Sequence, residues 1–127
     1  MVETEQKPTR ILVVDDDDHV RRATARMLRD SFYVAVASCA GEALALLDGA
    51  AFDVVLTDND MAGGSGLSLL QRVRERCPSV RRILISGGVP SDLSGHLASG
   101  LVERFVAKPA SGPDLRAILV EMGFKAI

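Results

Sequence analysis

The residues of this sequence that could act together in a chemical reaction each stand directly after a short apolar run. Carboxylates gathered at one place repel one another in a poorly hydrated cleft unless a cation is bound. Mg²⁺ suits such a site, because it binds through one or two carboxylates, water and phosphate oxygens. A hydroxyl and an ammonium group would add two donors for the oxygens of a transferred phosphoryl group. The residues are Asp15, Asp16, Asp58, Ser86 and Lys108.

Asp58 is the candidate nucleophile. It ends the run Val54-Val55-Leu56-Thr57, which is rich in β-branched residues, too short for a helix, and therefore predicted to be a buried strand. In open parallel α/β sheets, ligands bind just beyond the carboxyl ends of the strands. Carboxylate nucleophiles are known to form aspartyl phosphates. An isolated aspartate after a strand is more often a turn residue or a helix cap, so this interpretation depends on the other residues of the set.

The elements that must position these side chains alternate along the chain. Apolar runs predict strands, and apolar residues three and four apart predict helices, the first of them capped by Asp17 or Asp18. This alternation implies an α/β fold with a five-stranded parallel sheet, doubly wound by helices on both faces through right-handed crossovers. The carboxyl ends of all strands then lie at one edge. The predicted strands are 11–14, 33–37, 53–57, 82–86 and 104–107, and the later predicted helices are 40–48, 66–76, about 91–99 and one capped by Ser111.

Length and composition indicate one ordinary globular domain of 127 residues, 47% hydrophobic and 25% charged. With 15 Lys+Arg against 17 Asp+Glu, the net charge of −2 implies no broad basic surface for nucleic acid. Cys39 and Cys77 lack metal-like spacing and favour a reducing compartment. No apolar run approaches the roughly 20 residues that span a bilayer. We therefore expect a cytoplasmic protein that contacts neither membrane nor, directly, nucleic acid.

Four motifs, taken in order, resemble the receiver domain of two-component response regulators, of the single-domain chemotaxis-regulator type. The likeness extends from about Arg10 to Met122. It implies the flavodoxin-like (βα)5 receiver fold over residues 10–124, with 1–9 as a disordered leader and 125–127 as a C-terminal tail. The motifs are Val13-Val14-Asp15-Asp16, Thr57-Asp58-Asn59-Asp60-Met61, Ser86-Gly87 and Phe105-Val106-Ala107-Lys108-Pro109.

The resemblance implies a phosphoacceptor beside a metal ion. Asp58 would accept the phosphoryl group and also face the metal. Asp16 would be a direct Mg²⁺ ligand, and Asp15 would act largely through water. The backbone carbonyl of Asp60 would complete the protein's share of the metal site.

The resemblance also implies a conformational switch. Ser86 would hydrogen-bond the phosphoryl group and move toward it on activation, while Lys108 would pair with a phosphoryl oxygen or with unmodified Asp58. The peptide bond between Lys108 and Pro109 is expected to be cis. Phe105 would be the switch aromatic that turns inward when Ser86 moves. The alternative for Phe105 is an ordinary core residue, as strand aromatics usually are.

The sequence departs from the common family pattern near the site. Ala62 stands where a proline is usual, and Gly63-Gly64 follows, which predicts a more flexible loop after Asp58. Asp60 is an acid at a position that modulates the loss of phosphate in such domains. Gly87-Gly88 replaces bulkier residues, which predicts a more open site.

The implied function is that of a signalling phosphoacceptor and not of a turnover enzyme. A histidine kinase or phosphotransfer protein would donate the phosphoryl group, and the domain would catalyse its own phosphorylation and dephosphorylation. An unknown downstream protein target would recognise the modified form, as a monomer or a weak dimer. The alternatives are a phosphatase with an aspartyl nucleophile, for which the chain has little room, a pseudo-receiver that is not phosphorylated, and a receiver that forms part of a hybrid histidine kinase or larger regulator.

Overall fold

The computed structural model describes residues 8–126. Its main sheet has five parallel strands in the order β2-β1-β3-β6-β7, and a separate two-stranded hairpin consists of β4 and β5. The strands are β1 (Arg10–Val14), β2 (Tyr33–Ala37), β3 (Val54–Asp58), β4 (Asp60–Met61), β5 (Gly64–Ser65), β6 (Arg81–Ser86) and β7 (Arg104–Ala107). The helices are α1 (Asp18–Arg29), α2 (Ala40–Gly49), α3 (Gly66–Arg76), α4 (Leu93–Ala98) and α5 (Gly112–Glu121).

This arrangement confirms the predicted α/β class and the five-stranded parallel sheet. Alternate strand residues face opposite sides, so β1 contributes Leu12 and Val14 to one apolar cluster and Ile11 and Val13 to the other. The first cluster lies under α2 and α3, and the second lies under α1 and α5. Because both faces are covered, the central strands are apolar throughout rather than alternating.

The register of the sheet determines where the polar residues at the strand ends lie relative to one another. In β1, β3, β6 and β7, each strand is paired with its neighbour up to its carboxyl end, so neighbouring strands end within about one residue of one another. The side chains that follow them therefore meet at one edge. The terminal pairs are Val14 with Thr57, Asp58 with Ile85, and Ser86 with Ala107.

Helix starts follow from side-chain caps. Asp17 accepts hydrogen bonds from the amides of His19 and Val20 at the start of α1, and Ser111 accepts one from Asp114 at the start of α5. The helix α4 is the exception. It is six residues long, shorter than the predicted range of about 91–99, has no side-chain cap and buries none of its residues.

Three features differ from the sequence prediction. The strand β3 includes Asp58, which therefore belongs to the sheet itself. The segment after Asp58, expected to be a flexible loop, forms the hairpin β4–β5 over residues 60–65. Thr9 is buried, and its backbone oxygen accepts the Tyr33 amide at 3.0 Å. The folded part thus includes Thr9, which the sequence places in the leader; residues 1–7 of that leader lie outside the described residues.

A buried arginine at the opposite end of β6 was not anticipated. Arg82 is 7% exposed and donates hydrogen bonds to the carbonyl oxygens of Val80 (2.8 Å), Leu101 (3.0 Å) and Gly100 (3.1 Å). Glu103 lies 3.6 Å from the same guanidinium group. These contacts hold the connection after α4 against β6.

None of the helices between residues 8 and 126 is long and apolar enough to cross a membrane.

Candidate phosphoryl-acceptor site

Three carboxylates converge where β1 and β3 end. Asp15, Asp16 and Asp58 each offer an oxygen atom within 4.8 Å of the others. Asp15 and Asp58 are both 5% exposed, whereas Asp16 faces solvent. Such a half-open group of hard oxygen ligands fits a divalent cation that keeps part of its water shell, as Mg²⁺ does. The sequence prediction that these acids come together is consistent with this geometry.

Asp15 is the most constrained of these acids. Its Oδ1 atom accepts a hydrogen bond from the Asp17 amide at 2.9 Å, and its backbone oxygen accepts one from Arg21 at 3.0 Å. Burial raises the pKa of Asp15, although the Asp17 hydrogen bond and the nearby charge of Lys108 oppose this shift. A cation bound beside this carboxylate would offset the cost of its burial.

Lys108 is the positive group of the site. Its Nζ atom lies 3.0 Å from Oδ1 of Asp58 and 3.5 Å from Oδ2 of Asp15. Burial lowers the pKa of the Lys108 ammonium, but the contact with Asp58 and the negative charge of Asp15 outweigh it, so the net shift is upward. Lys108 is therefore charged at neutral pH. Lys108 thus contacts two of the three clustered acids.

Ser86 lies at the end of β6, beside the acidic cluster and Lys108, and is 2% exposed. Its hydroxyl donates to Oδ2 of Asp60 at 3.2 Å and accepts a hydrogen bond from the Gly88 amide at 3.3 Å. Its backbone oxygen accepts the Lys108 amide at 2.9 Å. Ser86 and Lys108 are thereby held side by side through the backbone of two adjacent strands.

The hairpin β4–β5 is tied to the acids of the site. The Ala62 amide donates to Oδ2 of Asp16 at 2.7 Å, and the Asp60 side chain holds Ser86. Sequence reasoning missed both contacts, since it treated these residues as a loop. The sequence signal of such a hairpin is Gly63, which adopts a positive φ angle of 84° in the two-residue loop between β4 and β5.

Gly66 is a further residue whose role the sequence did not reveal. A Cβ atom there would overlap the carbonyl oxygen of Asp58 and lie 3.0 Å from the Cα atom of Asn59. The Gly66 amide donates to the carbonyl oxygen of Asn59 at 3.0 Å, and the Asn59 side chain accepts the Leu67 amide at 3.2 Å. The start of α3 thus packs directly on the backbone that carries Asp58.

Two other predicted residues stand beside the site. The peptide bond between Lys108 and Pro109 is cis. Phe105 is half-buried and packs against the cluster that contains Leu84, its partner on β6. An apolar cavity of about 260 Å³ opens next to Asp58 and Lys108, between α1 and the segment that leads into α5.

Comparisons with known proteins agree with this geometry. The family model described as the response regulator receiver domain matches residues 11–120. The chemotaxis protein CheY of Pseudomonas aeruginosa is 32% identical over 111 residues, which cover 84% of this chain and 90% of that protein. The hydrogenase transcriptional regulatory protein HoxA of Cupriavidus necator is 38% identical over 105 residues, 81% of this chain and 22% of that protein. The chain thus spans about a fifth of the length of the HoxA relatives it matches.

Solved structures give the same result. A CheY-like receiver domain protein from Methanospirillum hungatei JF-1 superposes with a TM-score of 0.84 at 26% identity, covering 91% of this chain and 94% of that one. The response regulator TrrA of Thermotoga maritima, in complex with Mg²⁺-BeF, gives a TM-score of 0.78 at 26% identity, covering 90% and 98%. The family model, these relatives and the acidic edge of the sheet agree, and the chain belongs to the response regulator receiver domains of two-component signalling.

Proposed function

We propose that this receiver domain accepts a phosphoryl group on the side chain of Asp58. The observation that carries the proposal is the position of that carboxylate, which is 5% exposed, 3.0 Å from the Lys108 ammonium and grouped with Asp15 and Asp16. A carboxylate oxygen of Asp58 would attack the phosphorus atom. The bond from phosphorus to the donor's nitrogen or oxygen would break, and the bonding electron pair would leave with the donor.

The remaining groups have roles in this reaction that follow from their charges. Lys108 would exchange its contact with Asp58 for one with a phosphoryl oxygen, which keeps the ammonium paired throughout. Asp16 would hold Mg²⁺ directly, together with Asp58 and the backbone carbonyl of Asp60, while Asp15 would act largely through water. When bound, Mg²⁺ would neutralise charge on the carboxylates and phosphoryl oxygens.

Support for the metal comes from the donor set and from a relative. Carboxylate and carbonyl oxygens are hard ligands that match Mg²⁺, and Asp15, Asp16 and Asp58 bring three carboxylates together. The TrrA receiver, 26% identical, was solved with Mg²⁺-BeF. The same groups would later assist attack of water on the acyl phosphate, so that the domain removes its own modification.

Modification would be transmitted by Ser86 and Phe105. The hydroxyl of Ser86 would donate to the phosphoryl group, and Phe105, which is half-buried beside Leu84, would turn inward as Ser86 moves. The resulting change would favour one of two pre-existing conformations of the surface formed by α4, β7 and α5. A downstream protein would recognise that surface on a monomer or a weak dimer.

The donor would be a histidine kinase or a phosphotransfer protein in the cytoplasm. Relatives of this domain occur in different protein contexts: CheY is matched along 90% of its length, while the sensor kinase CckA of Brucella abortus is 30% identical over 12% of its length. The chain would work either as a separate domain or within a hybrid kinase or larger regulator. The complete set of Asp16, Asp58, Ser86 and Lys108 argues against a pseudo-receiver.

Intact-mass spectrometry tests the proposal. The protein is incubated with Mg²⁺ and acetyl phosphate, next to Asp58→Asn and the surface control Asp48→Asn. We expect the wild type and Asp48→Asn to gain one phosphoryl group, Asp58→Asn to gain none, and EDTA to prevent the gain. An unmodified wild type that also fails to bind beryllofluoride would contradict the proposal and favour a pseudo-receiver. A Mg²⁺-dependent adduct that persists in Asp58→Asn would place the acceptor elsewhere.

A further inference from the structure

We propose that Asp60 is a positioning residue that competes with the phosphoryl group for the hydroxyl proton of Ser86. This inference rests on the proposed function of Asp58. Its starting point is the hydrogen bond of 3.2 Å from Ser86 Oγ to Asp60 Oδ2, which joins β6 to the hairpin β4–β5. An acid at position 60 thus reaches the residue expected to signal phosphorylation.

The competition follows from the number of protons on a hydroxyl group. A serine hydroxyl has one proton to donate and two lone pairs that accept. In this structure, one lone pair of Ser86 accepts the Gly88 amide at 3.3 Å and the single proton goes to Asp60. Ser86 therefore cannot donate to a phosphoryl oxygen on Asp58 until its bond to Asp60 breaks.

Asp60 is placed to hold Ser86 and also to release it. Its backbone is fixed, because Asp60 pairs with Ser65 in the hairpin and the Ala62 amide donates to Asp16. Its side chain is exposed and can rotate into water once its hydrogen bond with Ser86 breaks. Ser86, by contrast, is 2% exposed and has to find a hydrogen-bond acceptor inside the site.

Phosphorylation would reverse the preference of Ser86. A phosphoryl group brings up to two negative charges and three strong acceptor oxygens. These charges would repel the Asp60 carboxylate and offer Ser86 a better acceptor. Asp60 thus raises the free energy that activation requires, and the unmodified domain stays in its inactive arrangement.

A set of four variants separates this role from simple charge repulsion. Asp60→Ala removes both the acceptor and the charge, whereas Asp60→Asn removes the charge and keeps an oxygen that can accept the Ser86 proton. Ser86→Ala and the double variant Asp60→Ala/Ser86→Ala complete a double-mutant cycle. The exposed Asp48→Ala, on α2, is the control. The chain has no tryptophan, so binding of beryllofluoride with Mg²⁺ is followed by isothermal titration calorimetry.

We expect Asp60→Ala to bind beryllofluoride about five-fold more tightly than the wild type, the effect of one hydrogen bond of average strength. The gain should be smaller in the Ser86→Ala background, and Asp60→Asn, which loses the charge but keeps an acceptor for the Ser86 proton, should bind more weakly than Asp60→Ala. In the unloaded protein, the amide NMR signals of Ser86 and Gly88 should shift in Asp60→Ala and stay unchanged in Asp48→Ala.

Three results would overturn the inference while leaving the proposed function intact. These are unchanged affinity in Asp60→Ala, an equal gain with and without Ser86, and an Asp60→Asn variant as tight as Asp60→Ala. The last two would assign the effect to charge alone. Failure of the wild type to bind beryllofluoride would instead contradict the proposed function, and this inference with it.

Discussion

Gly66 and Asp58 are in backbone contact: the position that a Cβ atom on Gly66 would take overlaps the carbonyl oxygen of Asp58. The first residue of α3 thus lies against the last residue of β3, and no side chain fits between them. The placement of the Asp58 carboxylate consequently depends on a residue that has no side chain of its own.

Substitution of this glycine should disturb the site more than its small size suggests. Gly66→Ala forces α3 away from β3, and we expect a loss of about 1–3 kcal/mol in the free energy of unfolding, as for other overpacked positions. Beryllofluoride binding should weaken as Asp58 shifts. The matched control is Gly49→Ala, at the end of α2, where nothing lies within 4 Å of the added Cβ. Urea unfolding that gives both variants wild-type stability would contradict the importance of this contact.

Removal of the Lys108 charge should destabilise the domain and make it more dependent on a cation. Lys108→Met leaves Asp15 and Asp58, each 5% exposed, without their positive partner. We expect a loss of about 1–3 kcal/mol at pH 7, and a larger rise in Tm on addition of Mg²⁺ than the wild type shows. Thermal unfolding with and without Mg²⁺ measures both effects. Lys125→Met, on an exposed residue, should change neither; equal Mg²⁺ responses in Lys108→Met and the wild type would count against the pairing.

The buried Asp15 predicts a dependence of stability on pH. Burial raises its pKa above the ordinary value of 3.8, so the folded state holds this proton more tightly than the unfolded state does. Stability contributed by Asp15 is therefore greatest at low pH and is lost as the pH rises from about 3.8 through the raised pKa. Asp15→Asn, which keeps an oxygen for the Asp17 amide, should remove this loss.

Measurement of Tm against pH without Mg²⁺ tests this sign. We expect Asp15→Asn to be more stable than the wild type at pH 7 and to differ little from it below the ordinary pKa of 3.8, where both side chains are neutral. Affinity for Mg²⁺ should fall in the same variant. A variant that is less stable than the wild type at pH 7 would show that the contact of Asp15 with Lys108 outweighs the cost of its burial.

Arg82, at the opposite end of β6 from the carboxylate cluster, should contribute to stability. Its guanidinium group donates to the carbonyl oxygens of Val80, Leu101 and Gly100, and burial lowers its pKa. Arg82→Met leaves these carbonyls without the guanidinium donor, for an expected loss of about 3 kcal/mol in urea unfolding. The exposed Arg74→Met is the control and should change stability by less than about 0.5 kcal/mol. Equal stability of the two variants would refute the structural role of Arg82.

The sequence by itself determined the class of the fold and predicted which polar residues lie together at one edge of the sheet. Apolar runs that stop at polar residues specify parallel strands, and parallel strands bring their carboxyl ends to one edge, so Asp58 and Lys108 could be grouped although 49 positions separate them in the chain. Helix starts such as Asp17 and Ser111 were also predictable, because a capping side chain acts on amides two or three residues away.

Only the tertiary structure decided contacts between segments that carry no local pattern. The bond from Ser86 to Asp60, the approach of Gly66 to Asp58 and the burial of Arg82 each depend on the position of two backbones in space. A sequence pattern reports which face of an element is apolar, but it contains no distances between side chains of different elements. The chemistry of the site could therefore be predicted from residue types, whereas the proposed restraint of Ser86 by Asp60 could be inferred only from the folded structure.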